Sequence, residues 1–257
     1  MWGSSSFRSA WTHVRGFERL SLCDWPGHTS SVVFLGGCSM RCPTCHNADL
    51  AWRPEWLPVY PRELIEQRLA AHRQWLDGIV VTGGEPTEAF GLAGLLRDLH
   101  AFGLPIKLDT NGMQPHVVAA LLTSGLADAF SVDVKGPWSK YPQLTGNQVS
   151  AEQAKDRLER IFLLAGDCPR AFRFRITQVP CLTDEDIAEA QSYLPKGFSL
   201  TVQRYVPPRR THAPTDSQTR WMPGDVVGGP HRSGHSQGAQ GKRDQGSPAL
   251  ETVGAQS

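Results

Sequence analysis

The chain has 257 residues, of which 40% are hydrophobic and 20% charged, and its 26 Lys and Arg residues nearly balance its 25 Asp and Glu residues. This composition is typical of one globular domain and excludes a fibrous or wholly disordered protein. The balanced charge gives no reason to expect nucleic acid or a membrane surface as a partner. No segment approaches the ~20 consecutive apolar residues of a membrane helix, and residues 1–11 lack the apolar core of a signal peptide. We therefore expect a cytoplasmic protein.

Short apolar runs alternate with helical patterns from Ser31 onward. The predicted strands are 31–35, 78–82, 105–109, 129–134, 172–176 and 198–204. Helical spacing of apolar residues predicts helices between them, among them 61–76 and 115–124. Ser150 is a predicted N-cap, and Thr183 precedes an acidic first turn that suits a helix N-terminus.

Strands separated by helices predict parallel pairing with right-handed crossovers. Six units are fewer than the eight of a closed barrel. We therefore predict an α/β fold, a partial (βα)6 parallel barrel over residues 31–207 that is open along one side, where a large partner could enter. Residues 1–30 form a lead-in. Residues 208–257 mix Gly, Ser, Gln and Pro with charges of both signs, which predicts a disordered C-terminal tail.

The cysteines give the strongest chemical signal. Cys38, Cys42 and Cys45 form a Cys-x3-Cys-x2-Cys loop directly after the first predicted strand, while the other three cysteines are scattered. Clustered thiols in a reducing compartment more often bind metal or act in redox chemistry than form disulfides. Such a loop can hold an iron–sulfur cube through three thiolates and leave one iron open to another molecule. On the loop alone, zinc bound by the three thiolates and His46 is the alternative.

Polar residues follow three later strands at their ends. They are Gly83, Gly84 and Glu85 after the second strand, Asp109, Thr110 and Asn111 after the third, and Asp133 and Lys135 after the fourth. Paired glycines let a backbone approach a ligand closely, and a carboxylate beside them can receive an ammonium group. Because strand carboxyl ends converge on one mouth of a parallel barrel, we predict that these groups surround one cavity with the cysteine loop.

Together these motifs resemble those of the radical S-adenosylmethionine (SAM) enzymes, and in particular the activating enzymes of glycyl-radical enzymes. The resemblance runs from about Gly16 to Tyr205, and the motifs stand in the family's order: the cysteine loop, Gly-Gly-Glu-Pro at 83–86, Asp-Thr-Asn-Gly at 109–112 and Asp-Val-Lys at 133–135. Within the group, the sequence is most similar to activating proteins of anaerobic ribonucleoside-triphosphate reductases, with pyruvate formate-lyase activating enzymes as close relatives.

The resemblance implies a set of cofactor contacts. The three cysteines of the loop would hold a [4Fe-4S] cluster, whose open iron binds the methionyl amine and carboxylate of SAM. Residues at matching positions would contact SAM. Gly84 and Glu85 would contact its amine, with Gly83 and Asn111 beside them, and Lys135 would contact its carboxylate. Thr44 and His46 would contact the adenosyl part, and Arg175 would lie close to the cofactor. Asp109, Thr110 and Asp133 match positions that hold a monovalent cation in the pyruvate formate-lyase relative.

The resemblance also implies the activity. A radical SAM enzyme cleaves SAM reductively, and an activating enzyme of this type creates a glycyl radical on a partner, here an anaerobic ribonucleotide reductase. A flavodoxin or ferredoxin would supply the low-potential electron. Two alternatives remain open among enzymes: another glycyl-radical partner such as a pyruvate formate-lyase, or a small-molecule substrate. From a different class, a non-catalytic, zinc-stabilised binding module is a further alternative.

Overall fold

A computed structural model describes residues 9–207 of the chain, and the predicted tail over 208–257 lies outside the described residues. Its seven strands form one sheet in sequence order, and the sheet does not close on itself. The strands are β1 Val14–Ser21, β2 Ser30–Leu35, β3 Gly78–Gly83, β4 Ile106–Thr110, β5 Ala129–Asp133, β6 Phe172–Gln178 and β7 Leu200–Arg204. The helices are α1 Ala48–Trp52, α2 Arg62–His72, α3 Leu92–His100, α4 Pro115–Thr123, α5 Tyr141–Leu144, α6 Ala151–Asp167 and α7 Asp184–Ser192.

Strands β2 to β7 pair in parallel, each with the next along the chain. This confirms the predicted partial (βα)6 barrel. Among the helices described, none is long and apolar enough to cross a bilayer.

Strand β1 was not predicted and pairs antiparallel with β2. Two register shifts interrupt the pairing, one between Val14 and Gly16 and the other between Glu18 and Ser21. A strand with such irregularities loses the strict alternation of buried and exposed residues. Its buried residues are Val14, Phe17 and Ser21, a spacing that does not indicate a strand.

The helix boundaries follow local chemistry. Ser150 and Thr183 each form a capping box, with Gln153 and Asp186 respectively, as their positions before the helical patterns suggest. The predicted helix over 61–76 ends earlier, at His72, and a 3-10 turn covers Arg73–Trp75. The Arg73 guanidinium donates to the backbone carbonyls of Phe102 and Gly103 at 2.6 and 2.7 Å, which ties this turn to the loop before β4.

Two chemically different surfaces meet on β4. Ile106 and Leu108 are fully buried and belong to the main apolar core, which also contains Leu95 and Leu99 of α3. Successive side chains of a strand point to opposite faces of a sheet, so Lys107 and Asp109 share the other face. In parallel βα units the strands also end at one edge of the sheet, and this edge carries the site.

Candidate functional site

A cavity of about 240 Å³ lies at the carboxyl ends of the parallel strands, and every residue of the predicted site lines it. The lining includes Cys38, Cys42, Thr44, Cys45, His46, Gly83, Gly84, Glu85, Asp109, Thr110, Asn111, Asp133, Lys135 and Arg175. The structure therefore brings together groups that are up to 137 positions apart, from Cys38 to Arg175.

The cysteine loop is held by backbone hydrogen bonds to two neighbouring segments and by one within the loop. The Gly37 amide donates to the Leu50 carbonyl at 3.0 Å, and the Arg41 amide donates to the Thr145 carbonyl at 3.0 Å. Within the loop, the Cys45 amide donates to the Cys42 carbonyl at 3.0 Å. These hydrogen bonds fix the path of the backbone that carries the three thiols.

The three thiols of the loop are partly buried, whereas Cys23, Cys168 and Cys181 are exposed and do not line the cavity. Burial raises the pKa of Cys38 to about 12, and it also raises the pKa of Cys45. Without metal Cys38 and Cys45 are therefore protonated, and metal binding at them must release protons.

The paired glycines have a packing role that the sequence did not reveal. A Cβ atom on Gly84 would lie 2.1 Å from the Gly37 carbonyl oxygen, and one on Gly83 would lie 2.3 Å from that of Leu35. Gly83 also has a φ of +123°, which disfavours a side chain. These glycines allow β3 to end against the start of the cysteine loop, where the Glu85 amide donates to the Gly37 carbonyl at 2.8 Å.

Glu85 is 2% exposed and connects the ends of β3 and β4. Its carboxylate accepts hydrogen bonds from the Thr87 hydroxyl and amide at 2.6 and 3.1 Å, the Thr110 hydroxyl at 2.7 Å and the Asn111 amide at 2.6 Å. Burial raises the pKa of Glu85, and the four donors act in the opposite direction. They use about as many acceptor sites as a carboxylate offers, so contact with a cofactor amine remains a prediction.

Asp133 on β5 and Arg175 on β6 are register partners and form an ion pair. Lys135 also contacts Asp133, with its Nζ atom 2.9 Å from Oδ2. Burial alone would raise the pKa of Asp133, but the charges of Arg175 and Lys135 outweigh it and lower that pKa. The attraction of Asp133 likewise exceeds the effect of burial on Lys135 and raises its pKa. All three groups are therefore charged at neutral pH.

The contacts of His46 disfavour the zinc alternative. Its Nε2 atom lies at hydrogen-bonding distance from the Val206 carbonyl, and its ring stacks on Tyr205 with centroids 5.6 Å apart. Within residues 9–207, no group of three or more His, Cys, Asp or Glu side chains could hold a single metal ion. Thiolates on different irons of a cube stand further apart than the ligands of one zinc ion.

Two observations fit a cluster with bound SAM. Three thiols without a fourth cysteine beside them match a cube that leaves one iron open. The Asn111 side-chain nitrogen is buried at the cavity without a partner among the described residues, although such groups are normally hydrogen-bonded. A ligand acceptor in the cavity would satisfy it. These residues therefore fit the cofactors that the sequence implied.

Sequence reasoning missed Glu88, which holds the cysteine loop from the segment after β3. Its carboxylate accepts from the Ser39 amide at 2.8 Å and from the Ser39 hydroxyl. Its place three residues after Glu85 gives no sign of this contact, since Ser39 is 49 positions away.

Replacing Glu88 with alanine should loosen this loop, and an iron–sulfur cluster held by its three cysteines should then be lost faster. Removing the acceptor of a surface hydrogen bond costs about 1 kcal/mol, which corresponds to roughly a fivefold faster loss. The decay of cluster absorbance after addition of an iron chelator, without oxygen, measures this rate. Glu63→Ala on α2, exposed and away from the cavity, is the control. Equal rates for E88A and the wild type would contradict the role of Glu88.

Comparison with known proteins identifies the family. Residues 32–194 match the model of the radical SAM superfamily. The chain belongs to the radical SAM superfamily. It is 31% identical over 198 residues to a candidate glycyl-radical enzyme activating enzyme of Methanocaldococcus jannaschii, a match that covers 76% of this chain and 80% of that protein.

Two other relatives match shorter parts of the chain. A 7-carboxy-7-deazaguanine synthase of Hyperthermus butylicus is 38% identical over 91 residues, which are 35% of this chain and 37% of that protein. The pyruvate formate-lyase 1-activating enzyme of Escherichia coli K12 is 29% identical over 104 residues, 38% of this chain and 42% of that protein. The chain is thus an enzyme of this superfamily, and membership implies a [4Fe-4S] cluster and SAM as cofactors.

Proposed function

We propose that this protein activates a glycyl-radical enzyme by removing a hydrogen atom from the Cα of a glycine in that partner. We further propose that the partner is an anaerobic ribonucleoside-triphosphate reductase and that a flavodoxin or ferredoxin supplies the electron. The observation that carries the proposal is the cavity, in which three thiols share one space with charged groups at the edge of an unclosed sheet. The resemblance to named activating enzymes supports the choice of substrate class.

Cys38, Cys42 and Cys45 would hold the cluster, which supplies the electron for reductive cleavage of SAM. Lys135 would bind the methionyl carboxylate. Its ammonium has three donor hydrogens, and among its described contacts one carboxylate oxygen of Asp133 takes one of them. Asn111 would donate to the ligand through the side-chain nitrogen that has no partner among the described residues.

The remaining predicted residues would shape the space around the ligand. Gly83 and Gly84 allow the close approach of β3 to the cysteine loop, and Glu85 fixes the positions of Thr110 and Asn111. Thr44 and His46 line the cavity next to Cys45 and would face the adenosyl part. Holding the reacting groups in one orientation is the main contribution that a protein makes to such chemistry.

The open edge of the sheet suits a macromolecular substrate. Gln203 of β7 lines the cavity and is exposed, and the residues from Thr201 to Arg204 are exposed as well. In the described part of the chain, no strand pairs with the outer side of β7. A loop of a partner enzyme could therefore approach the cavity from this side, while a closed barrel would exclude it.

The test uses the full chain with its cluster reconstituted in the absence of oxygen and then reduced. We expect electron paramagnetic resonance to show a cluster signal that changes when SAM is added. Addition of an anaerobic ribonucleotide reductase should then produce deoxyadenosine and a glycyl radical signal. With a reductase deuterated at its glycine α-carbons, deuterium should appear in the deoxyadenosine.

Two controls decide between substrates. A reductase whose radical-bearing glycine is replaced by alanine should give no radical and no transfer of deuterium. Radical formation on a pyruvate formate-lyase, but not on the reductase, would contradict the proposed partner and keep the activase role. Deoxyadenosine formed with a small molecule and with no glycyl-radical enzyme would contradict the activase role itself.

A further inference from the structure

Five charged side chains form a continuous row beside the cavity: Lys107, Asp109, Arg175, Asp133 and Lys135. Positive and negative groups alternate along it. Each of the four carboxylate oxygens contacts a different nitrogen atom. Asp109 contacts Lys107 through Oδ1 and Arg175 through Oδ2, the latter at 3.2 Å. Asp133 contacts Arg175 through Oδ1 and Lys135 through Oδ2, the latter at 2.9 Å. Each of these carboxylate oxygens therefore already has a cationic partner from the chain itself.

Lys107 is the member of this row that the sequence analysis did not identify. Its side chain is only 4% exposed, and its ammonium contacts Asp109 and the Ser131 hydroxyl, the latter at 3.3 Å. Burying a lysine is costly unless its charge is paired and hydrogen-bonded. Such a residue inside a strand of the barrel therefore needs a reason beyond packing.

A monovalent metal ion, which the resemblance implied at Asp109, Thr110 and Asp133, does not fit these residues. Such an ion would need oxygen ligands, but the carboxylate oxygens already face nitrogen cations. The Thr110 hydroxyl is also engaged, because it donates to Glu85 at 2.7 Å and accepts from the Gly112 amide at 3.1 Å. The three positive side chains of the row would also repel the ion.

The geometry points to a built-in cation: Arg175, which bridges Asp109 and Asp133, and Lys107, which pairs with Asp109, take the place of a monovalent metal ion. Lys107 is thus a positioning residue, which fixes Asp109 and leaves Arg175 free to bridge both carboxylates. Stability does not depend on Na⁺ or K⁺ at this site. Independence of SAM binding from these ions is a second consequence, which rests on the proposed function.

The test compares the thermal unfolding of the full chain in KCl, NaCl and tetramethylammonium chloride at equal ionic strength. Tetramethylammonium is too large to replace a metal ion between two carboxylates. We expect the wild type to have the same Tm in all three salts. Lys107→Met keeps the length of the side chain and removes its charge, so its Tm should fall by several degrees in tetramethylammonium and recover partly in KCl or NaCl.

Lys107→Arg keeps the cation and should have the Tm of the wild type in every salt. If Lys107 served only for apolar packing, Lys107→Met would instead have a higher Tm than Lys107→Arg. Lys155→Met on the exposed side of α6 is the control for loss of a surface charge. If the methionine variant does not fold, the wild type and K107R still test the inference. A wild type or K107R whose Tm depends on K⁺ or Na⁺ would overturn it, and so would a K107M variant with the stability and salt response of the wild type.

SAM binding gives a second measurement on the reconstituted chain. Equilibrium dialysis should give a Kd for the wild type that changes less than twofold among the three salts. A tenfold weaker affinity in tetramethylammonium would overturn the built-in cation. No SAM binding in any salt would instead contradict the proposed function, and the unfolding measurements would still decide the inference.

Discussion

Replacing Cys42 with alanine is expected to abolish cluster assembly and to reduce deoxyadenosine production to background. Cys42 is the central thiol of the loop and lines the cavity with Cys38 and Cys45. With two thiols left, the cube would lose one of its three protein ligands and would not be retained. Iron content and visible absorbance after anaerobic reconstitution measure the first effect, and a SAM cleavage assay measures the second.

We expect C42A to lose the cluster because a ligand is missing and not because the protein unfolds. Cys42 is partly exposed, so the side chain that is removed contributes little apolar burial. The Tm of the metal-free variant should therefore stay close to that of the metal-free wild type. Cys168→Ala is the matched control, because this thiol is exposed, lies outside the cavity and should leave the cluster intact. A cluster retained by C42A and lost by C168A would refute the assigned ligand set.

Much of the fold could be predicted because the βα repeat leaves strong local signals. Apolar strands such as residues 79–81 alternate with helices, two of which begin with a capping box, and parallel pairing follows from that order. The same topology explains why the site residues could be predicted as one group. Strands that run in parallel end at the same edge, so polar residues after successive strands must come close together.

The parts that the sequence did not reveal depend on contacts between distant segments. Lys107 looks like a single charge in an apolar strand, and only its period-two spacing from Asp109 indicates that both side chains share a face. The pairing of Glu88 with Ser39 has no local signal at all. The four donors to Glu85 likewise come from two segments, Thr87 after β3 and Thr110 with Asn111 at the end of β4, which is why its structural role was not expected.

The role of Gly84 leads to the second prediction. Gly84→Ala should lower the Tm by about 10 °C, because an over-packed contact costs about 3 kcal/mol and each kcal/mol shifts the Tm of a domain of this size by about 2–4 °C. The added Cβ would lie 2.1 Å from the oxygen and 2.7 Å from the carbon of the Gly37 carbonyl. These are backbone atoms, so the clash cannot be relieved by rotation of a side chain.

The clash should also weaken binding of the cluster. Gly37 directly precedes Cys38, and its carbonyl accepts the hydrogen bond from the Glu85 amide at 2.8 Å. Moving Gly37 therefore displaces the first thiol of the loop, and reconstituted G84A should hold much less iron than the wild type. Gly94→Ala is the matched control, since a Cβ there meets nothing within 4 Å and alanine is favoured over glycine in helix α3. A G84A variant with the Tm and the iron content of the wild type would contradict this account. The close approach of β3 to the cysteine loop would then not explain the glycine at position 84.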